Sequence, residues 1–284
     1  MRLLSSPLVS ASALFENLRY PSLRICDVRW YLSKEKRGID EYRRGHLPGA
    51  VFVDLDQDLC GPLSRKSGRH PWPSPLLAAE RLSRLGISSD TFVACYDDAS
   101  GSVAGRLWFL LKWLGHDRAT VLDGGITRWK ALHYPVTANP TPIPPPGKLL
   151  PNPRPFLVVD KEEALAASLG EKNGTLLDAR EGRRYRGEFE PVDTRAGHIP
   201  GALSFPFAEN MNERTKEFLP PEDLQRRFEI IQDKKVIAYC GSGVTACHNL
   251  LALETAGIPA RLYAGSWSEW ARDERLKAET GDRT

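Results

Sequence analysis

Short apolar runs alternate with longer amphipathic segments along the chain. In the C-terminal half, the runs TLLDA, VIAYC and ARLYA are short and rich in residues that favour buried strands. The segments PEDLQRRFEII and TACHNLLALETAG have the apolar spacing of helices, and Gly257 is expected to end the second of them in the left-handed conformation. Gly115 has the matching place in the first half. The alternation predicts an α/β fold in which helices flank a mostly parallel sheet.

The pattern occurs twice, in the same order. RRGHLPGAVFVDLD (43–56) resembles RAGHIPGALSFPF (195–207), and upstream of each lies a similar strand-like run, ICDVRWYL or LLDARE. Downstream, FVACYDDASGSVAGRLWFLLKWLGHDRATVLDGGITRW parallels VIAYCGSGVTACHNLLALETAGIPARLYAGSWSEW. Ordered matches of this kind indicate an internal duplication, with one copy in each half of the chain.

A proline-rich segment, ANPTPIPPPGKLLPNPRP (138–155), separates the two copies. So much proline is incompatible with the interior of a helix or a central strand, and it favours a stiff extended connector. The sequence therefore predicts an N-terminal domain at 1–137, a linker at 138–155 and a C-terminal domain at 156–284, each domain of common size.

Composition and charge exclude several classes of partner. The chain has 284 residues with 41% hydrophobic content, which is enough for one or two cores. A net charge of +3 is too mild for a nucleic-acid-binding surface and leaves small anions as candidate partners. The run LWFLLKWL (107–114) contains a lysine and is too short to span a bilayer, so no membrane role is expected. The segment SASALFENL is predicted as a first helix, and the absence of a signal-peptide pattern before it predicts a cytoplasmic protein.

The chain has five cysteines, an odd number without CxxC spacing. This argues against a disulfide framework and against a zinc site, so no metal is expected. In a reducing compartment these cysteines are free thiols, and most free cysteines are small buried apolar residues. Only the local sequence can single out one of them.

Cys240 has such a local sequence. It follows the strand-like VIAY and precedes a turn with Gly241 and Gly243 and a helix that begins near Thr245. Parallel sheets bind ligands at the carboxyl ends of their strands, and glycines let a loop adopt positive φ and aim its N–H groups at one point. Such donors and a helix N-terminus lower a thiol pKa and activate it as a nucleophile. The alternative is a cysteine that merely ends a strand, and for Cys247, on the helix, a core position is the expectation.

Two chemistries suit a thiolate in this loop. A cysteine phosphatase needs an arginine at the far end of the loop to clamp phosphate, and that position holds Ala246. A persulfide on Cys240 needs no such arginine, because backbone amides and a helix end can stabilise the charge on its outer sulfur. Sulfur transfer is therefore favoured over phosphate chemistry.

The motif CGSGVT (240–245), together with GHLPGA, GHIPGA, LDGG and GSWSEW, resembles the tandem-domain rhodanese family over almost the whole chain. The loop is similar to that of 3-mercaptopyruvate sulfurtransferases, whereas thiosulfate sulfurtransferases typically carry basic residues after the cysteine. The resemblance implies two rhodanese-like domains, of which the N-terminal one has no catalytic cysteine. Asp97 stands at the matching position of that domain.

The resemblance also implies an activity. Cys240 would accept a sulfane sulfur from 3-mercaptopyruvate, release pyruvate, and pass the sulfur to thioredoxin, another thiol or cyanide, without a cofactor. A thiosulfate:cyanide sulfurtransferase is the alternative enzyme, and a sulfur-carrier or regulatory module without catalysis is the third hypothesis.

Further site residues follow from the resemblance. Ser242 matches a loop serine that assists proton movement, Asp56 a partner carboxylate, and His70 a third polar partner. Their alternatives are a turn former, a cap at a strand end and a surface loop residue. With Cys240, these are the candidate catalytic residues.

Substrate binding is predicted at an arginine. Arg184 in GRRYRG matches the arginine that binds the substrate carboxylate in the family, although its neighbours Arg183 and Arg186 leave the choice open, and a solvated charge is the alternative. The family often has a second arginine after Glu-Pro, but here Val192 follows, and the next arginine is Arg195. The remaining candidate binding residues belong to the loop: Gly241, Gly243, Val244 and Thr245.

Overall fold

The computed structural model describes residues 6–34, 36–142, 144–170, 174–232 and 234–282. These residues form two compact units. The first unit contains Met1–Cys60, Pro73–Arg154 and Asn212–Phe218, and the second contains Gly61–Trp72, Pro155–Met211 and Leu219–Thr284.

The first unit has a five-stranded parallel sheet of β1 (Leu8–Val9), β2 (Leu23–Asp27), β3 (Ala50–Phe52), β4 (Phe92–Tyr96) and β5 (Ala119–Leu122). The strands lie in the order β1-β5-β4-β2-β3. Its helices are α1 (Ala11–Glu16), α2 (Arg37–Arg44), α3 (Leu55–Asp58), α4 (Pro75–Arg84), α5 (Ala104–Trp113) and α6 (Gly125–Ala131). The Ser10 hydroxyl caps α1, which confirms the predicted first helix, and Ser74 caps α4 before a proline at its start.

The second unit repeats this arrangement with β6 (Val158–Val159), β7 (Thr175–Asp178), β8 (Leu203–Ser204), β9 (Val236–Tyr239) and β10 (Ala260–Tyr263). These strands lie in the order β6-β10-β9-β7-β8, and all pairs are parallel. Its α-helices are α7 (Lys161–Ser168), α8 (Gly182–Tyr185), α9 (Pro221–Arg227), α10 (Ala246–Thr255) and α11 (Ser266–Trp270), and there are 3₁₀ turns at Pro155–Leu157, Phe207–Asn210 and Glu229–Ile231. The predicted α/β fold with parallel sheets is confirmed.

Helix ends follow the predicted chemistry in most places. Gly115 and Gly257 have φ of 83° and 78°, the left-handed conformation expected after α5 and α10. The spacing of PEDLQRRFEII predicts one continuous helix, and here the structure differs. Helix α9 ends at Arg227 and a 3₁₀ turn follows, so that Phe228 and Ile231 are both fully buried.

The two GH-x-PGA motifs have the same structural role in both units. His198 stacks on Tyr185 with ring centroids 3.7 Å apart, and its Nδ1 lies 2.7 Å from the Tyr185 carbonyl oxygen. His46 stacks on Tyr42 in the same way, at 3.9 Å, with Nδ1 2.8 Å from the Tyr42 carbonyl oxygen. These histidines are buried packing residues, and the shared contacts are a structural trace of the duplication.

The proline-rich segment lies along the first unit. Its backbone N–H groups at Gly147 and Asn152 donate to the carbonyl oxygens of Ser83 and Leu114, at 2.7 and 2.8 Å. Its role as a linker stays a prediction. Among the described residues, no helix is both long and apolar enough to cross a membrane.

Asp123 gives the first unit a pH-dependent stability. Burial raises the pKa of Asp123 to about 6, although its carboxylate accepts a hydrogen bond from the Phe218 N–H at 2.8 Å. Since the unfolded chain releases this proton near pH 4, ionisation costs stability as the pH rises from about 4 to about 6. We expect Asp123→Asn, which keeps an acceptor for Phe218, to match the wild type at pH 4 and to be about 2 kcal/mol more stable at pH 7. Urea unfolding at both pH values measures this, and an equal difference at both would contradict it.

Candidate active site

Cys240 is the first residue after β9, and α10 begins a few residues later at Ala246. Its side chain is buried, with 1% of its surface exposed. The Gly243 N–H donates to Cys240 Sγ at 3.2 Å, and the Cys240 N–H donates to Ser266 Oγ at 3.1 Å. The predicted order of strand, thiol, glycine turn and helix is confirmed, and the sulfur accepts an N–H from its own loop.

The two loop glycines act in different ways. Gly243 has φ of 74°, and a Cβ there would collide with the backbone of Ala264, so this position needs glycine. The expectation that Gly241 also serves by adopting positive φ is wrong, because its φ lies outside that region. Instead, its missing side chain leaves room for two guanidinium groups. A Cβ on Gly241 would lie 2.9 Å from Arg69 Nη2 and 3.5 Å from Arg184 Nη1.

Ser242, two residues after Cys240, forms a hydrogen-bonded pair with His70. His70 Nδ1 lies 2.7 Å from Ser242 Oγ, and both residues are 6% exposed. His70 belongs to the segment Gly61–Trp72, which is part of the second unit. The Arg69 N–H donates to Ser268 Oγ at 3.0 Å, and this contact fixes the segment on the unit. The structure thus brings together two of the predicted catalytic side chains.

Two carboxylates hold the arginines at Gly241. Arg184 Nη2 donates to Glu190 Oε1 at 2.7 Å and to Asp193 Oδ2 at 3.1 Å. Arg69 donates to the other oxygen of Asp193. Asp193 therefore bridges the two guanidinium groups.

The pKa values of these carboxyl groups shift in opposite directions. Burial tends to raise the pKa of Glu190, but hydrogen bonds from Arg184 and from the N–H groups of Asp193 and Val192 outweigh burial and lower it. Burial raises the pKa of Asp193, although Arg69 and Arg184 oppose this effect. Glu190 is thus the more firmly ionised of the two.

Arg184 differs from its neighbours in the GRRYRG segment. Arg183 and Arg186 face Glu188, an exposed residue, and Arg183 also lies over the ring of Phe189. Of the three, Arg184 is the one whose guanidinium is among the nearest groups to Gly241. The structure thus favours Arg184 for binding at the loop.

Two other predicted site residues, Arg195 and Asp56, have contacts with groups outside the Cys240 loop. Arg195 lies over the Trp267 ring, 5.8 Å from its centroid, and donates to the Leu276 carbonyl at 2.8 Å. Asp56 lies in the first unit, where its Oδ2 accepts the Trp30 indole N–H at 2.9 Å. Their roles in catalysis and binding stay predictions.

Val244 and Thr245 join the loop to α10. Val244 is buried and Thr245 is the N-cap of α10, where their carbonyl oxygens accept the N–H groups of Cys247 and His248. Cys247 is fully buried and its thiol lies 3.5 Å from the Gly243 carbonyl oxygen, as expected for a core position.

Ser266 is a further residue at the loop that sequence reasoning missed. Its φ of 54° is uncommon for a residue with a side chain, and the matching position of the first unit holds Gly125 with φ of 57°. The hydroxyl of Ser266 accepts the Cys240 N–H and donates to the Tyr263 carbonyl oxygen at 2.9 Å. The unit with the thiol therefore accepts a strained side chain that satisfies the cysteine's buried amide.

The corresponding loop of the first unit carries its own anion. Asp97 is fully buried, and its carboxylate accepts N–H groups at 2.8 to 2.9 Å from four residues. They are Ala99, Gly101, Val103 and Ala104. Burial raises the pKa of Asp97, and these four donors oppose that effect. Asp97 thus caps the start of α5.

The same duplication is found by comparison with known families. The model of the rhodanese-like domain matches residues 10–132 and again residues 161–273. The chain belongs to the rhodanese family. The expectation that came from the CGSGVT loop and the two GH-x-PGA motifs is thereby confirmed.

Relatives of this rhodanese are named as sulfurtransferases. A probable 3-mercaptopyruvate sulfurtransferase of Pseudomonas aeruginosa is 44% identical over 98% of this chain and 99% of its own length. A thiosulfate sulfurtransferase of Rattus norvegicus is 36% identical over 93% of this chain and 92% of its own. The crystal structure of SseA from Escherichia coli, described with the 3-mercaptopyruvate sulfotransferases, matches with a TM-score of 0.81 at 33% identity, over 93% of this chain and 99% of that one. The predicted class of enzyme agrees with these names.

Proposed function

We propose that this rhodanese transfers a sulfane sulfur from 3-mercaptopyruvate to a thiol through a persulfide on Cys240. The observation that carries the proposal is the pairing of a buried thiol, which accepts the Gly243 N–H, with the guanidinium groups of Arg69 and Arg184 at the adjacent Gly241. The 44% identity with a probable 3-mercaptopyruvate sulfurtransferase over nearly the whole chain supports the same donor.

The donor has two parts, and the loop offers a group for each. Its carboxylate suits the planar guanidinium of Arg184 or Arg69, which can donate two parallel hydrogen bonds. Its sulfur would lie at Cys240 Sγ, since Gly241 directly follows that residue in the chain. Binding through the carboxylate would orient the sulfur for attack.

In the first half-reaction, the Cys240 thiolate attacks the sulfur of 3-mercaptopyruvate. A sulfur–sulfur bond forms, the carbon–sulfur bond breaks, and its electron pair leaves with the carbon as the enolate of pyruvate. A proton then converts the enolate to pyruvate. The hydrogen-bonded pair of Ser242 and His70 would supply that proton, with 2.7 Å between Ser242 Oγ and His70 Nδ1.

In the second half-reaction, an acceptor thiolate attacks the outer sulfur of the persulfide and releases the Cys240 thiolate. Thioredoxin, a small thiol or cyanide would each serve as acceptor, and the proposal includes a cytoplasmic location, where reduced thiols are present. The loop amides and the start of α10 would stabilise the charge of the persulfide between the two steps.

Thiosulfate is the second candidate donor. The presence of two guanidinium groups favours it, because the pair could bind a dianion, and a thiosulfate sulfurtransferase of Rattus norvegicus is 36% identical. Against it stand the uncharged Gly241 and Ser242 after the cysteine and the two carboxylates, Glu190 and Asp193, that already neutralise the arginines.

The test is an assay of the purified protein with both donors. Pyruvate release from 3-mercaptopyruvate and thiocyanate formation from cyanide measure turnover, and the mass of the Cys240 peptide before acceptor is added reports a bound sulfur. We expect that sulfur on Cys240 and faster turnover with 3-mercaptopyruvate. Faster turnover with thiosulfate would reverse the donor assignment. A stable persulfide without turnover would favour a sulfur carrier, and an unmodified Cys240 with no turnover would reject sulfur transfer.

A further inference from the structure

We propose that Asp193 determines which donors this rhodanese accepts, because it neutralises one guanidinium charge beside Cys240 and so favours monoanionic carboxylate donors over dianions. The inference rests on the proposed function for its substrates and adds a residue that selects between them. Asp193 contacts both arginines at Gly241, a role that the sequence does not indicate.

Asp193 lies between the two arginines and is nearly inaccessible to solvent. One of its carboxylate oxygens accepts from Arg69 and the other from Arg184, the latter at 3.1 Å. Its side chain is 5% exposed, against 21% for Arg69 and 16% for Arg184. Because the Asp193 carboxylate is shielded from water, its charge is screened less than a surface charge would be.

The charges around the loop then balance. Arg69 and Arg184 contribute two positive charges, and Glu190 and Asp193 contribute two negative ones. Arg180, which also contacts Glu190 at 3.2 Å, is paired with Asp178 at 2.6 Å and adds no net charge. A donor that binds at Gly241 therefore meets hydrogen-bond donors without a net positive charge.

This balance affects the two donor classes unequally. A carboxylate donor such as 3-mercaptopyruvate brings one negative charge and gains from two planar donors. Thiosulfate brings a second negative charge, for which the neutral cluster offers no compensation. Removing the charge of Asp193 would leave one net positive charge at the loop, and a dianion would gain about twice as much from it as a monoanion.

If Asp193 had a purely structural role, its substitution would change anion binding in a different way. If Asp193 served only to hold the two arginines in place, its loss would weaken binding of every anion, because both guanidinium groups would lose their orientation. The substitution Asp193→Asn is therefore preferred to alanine, since the amide has the same shape and keeps one oxygen acceptor.

The experiment compares equilibrium binding of two anions, sulfate and pyruvate, and does so without turnover. Calorimetric titrations use the Cys240→Ser protein with and without Asp193→Asn. We expect Asp193→Asn to tighten sulfate at least about tenfold more than it tightens pyruvate, and the gain to shrink as ionic strength rises. The matched control is Glu188→Gln, which removes the same charge from the same segment, at a side chain that is 49% exposed. This control should leave the ratio of the two dissociation constants unchanged.

Catalysis is measured in parallel with Cys240 intact. In Asp193→Asn the ratio of kcat/KM for thiosulfate to that for 3-mercaptopyruvate should rise by about tenfold. The role of Asp193 is overturned if the ratio of the dissociation constants for sulfate and pyruvate stays within twofold of its value in the Cys240→Ser parent. It is also overturned if Asp193→Asn weakens the binding of both anions equally. If the wild-type protein formed no persulfide with either donor, the proposed function would fail, while the binding ratio would still decide whether Asp193 selects between anions.

Discussion

Cys240→Ser is expected to lower turnover with every sulfur donor by at least about 10³-fold, because a serine hydroxyl is not ionised at neutral pH and forms no persulfide. The substitution changes one buried atom, and the Gly243 N–H that now faces the sulfur can donate to the new oxygen. The protein should therefore stay folded. Steady-state rates with 3-mercaptopyruvate and thiosulfate, together with a thermal unfolding curve, measure both properties.

Cys247→Ser is the matched control for this substitution. Cys247 lies on α10, is as deeply buried as Cys240, and has its thiol near the Gly243 carbonyl oxygen on the same loop. We expect its rates to stay within about threefold of the wild type, since a core thiol takes no part in sulfur transfer. Turnover that survives in Cys240→Ser, or that disappears equally in both variants, would contradict the role given to Cys240.

The second large effect concerns Asp97 and the stability of the first unit. Asp97→Ala would leave four N–H groups without their acceptor, three of them buried, and each buried unsatisfied donor costs roughly 1–3 kcal/mol before the loop relaxes. We expect a loss of at least about 3 kcal/mol in the free energy of unfolding, measured in urea. Because the emptied loop is preorganised for an anion, sulfate should restore more stability to this variant than to the wild type.

Two comparisons make this prediction specific. Asp97→Asn keeps one oxygen acceptor and should lose less stability than alanine. Asp98→Asn, at the adjacent exposed position, should change the free energy of unfolding by less than about 1 kcal/mol. If Asp97→Ala were as stable as the wild type, the four hydrogen bonds would not support the loop as described.

Much of the fold could be predicted because several strands and helices of the second unit are each recognisable from one short stretch of sequence. VIAY is a buried run of four residues that became β9, and TACHNLLALETAG has both the helical spacing and the terminal Gly257 of α10. The edge strands β6 and β8 have two residues each, too few for a period to be visible, and their pairing depends on partners distant in sequence. The break after α9 arises from burial of Phe228, a tertiary effect that local spacing does not show.

The site was predictable where its functional residues are neighbours in the sequence. Cys240, Ser242 and the loop glycines lie together in CGSGVT, and His70 was found through the family resemblance. Arg69 was missed although it precedes His70, because its place at the loop depends on a contact with Asp193, which lies more than a hundred residues later in the chain. Asp193 itself lies in the segment where the sequence suggested only a lost arginine. The structure instead brings a second guanidinium to Gly241 from another part of the chain.

The carboxylate of Asp97 has a consequence for the stoichiometry of binding. Both units contain a loop between a strand and a helix that suits an anion, but in the first unit the anion is a side chain of the protein and does not dissociate. A titration with a small anion should therefore saturate at one equivalent per chain. We therefore expect the Asp97 carboxylate to exclude ligands from the loop of the first unit, so that of these two loops only that of Cys240 exchanges an anion with solution.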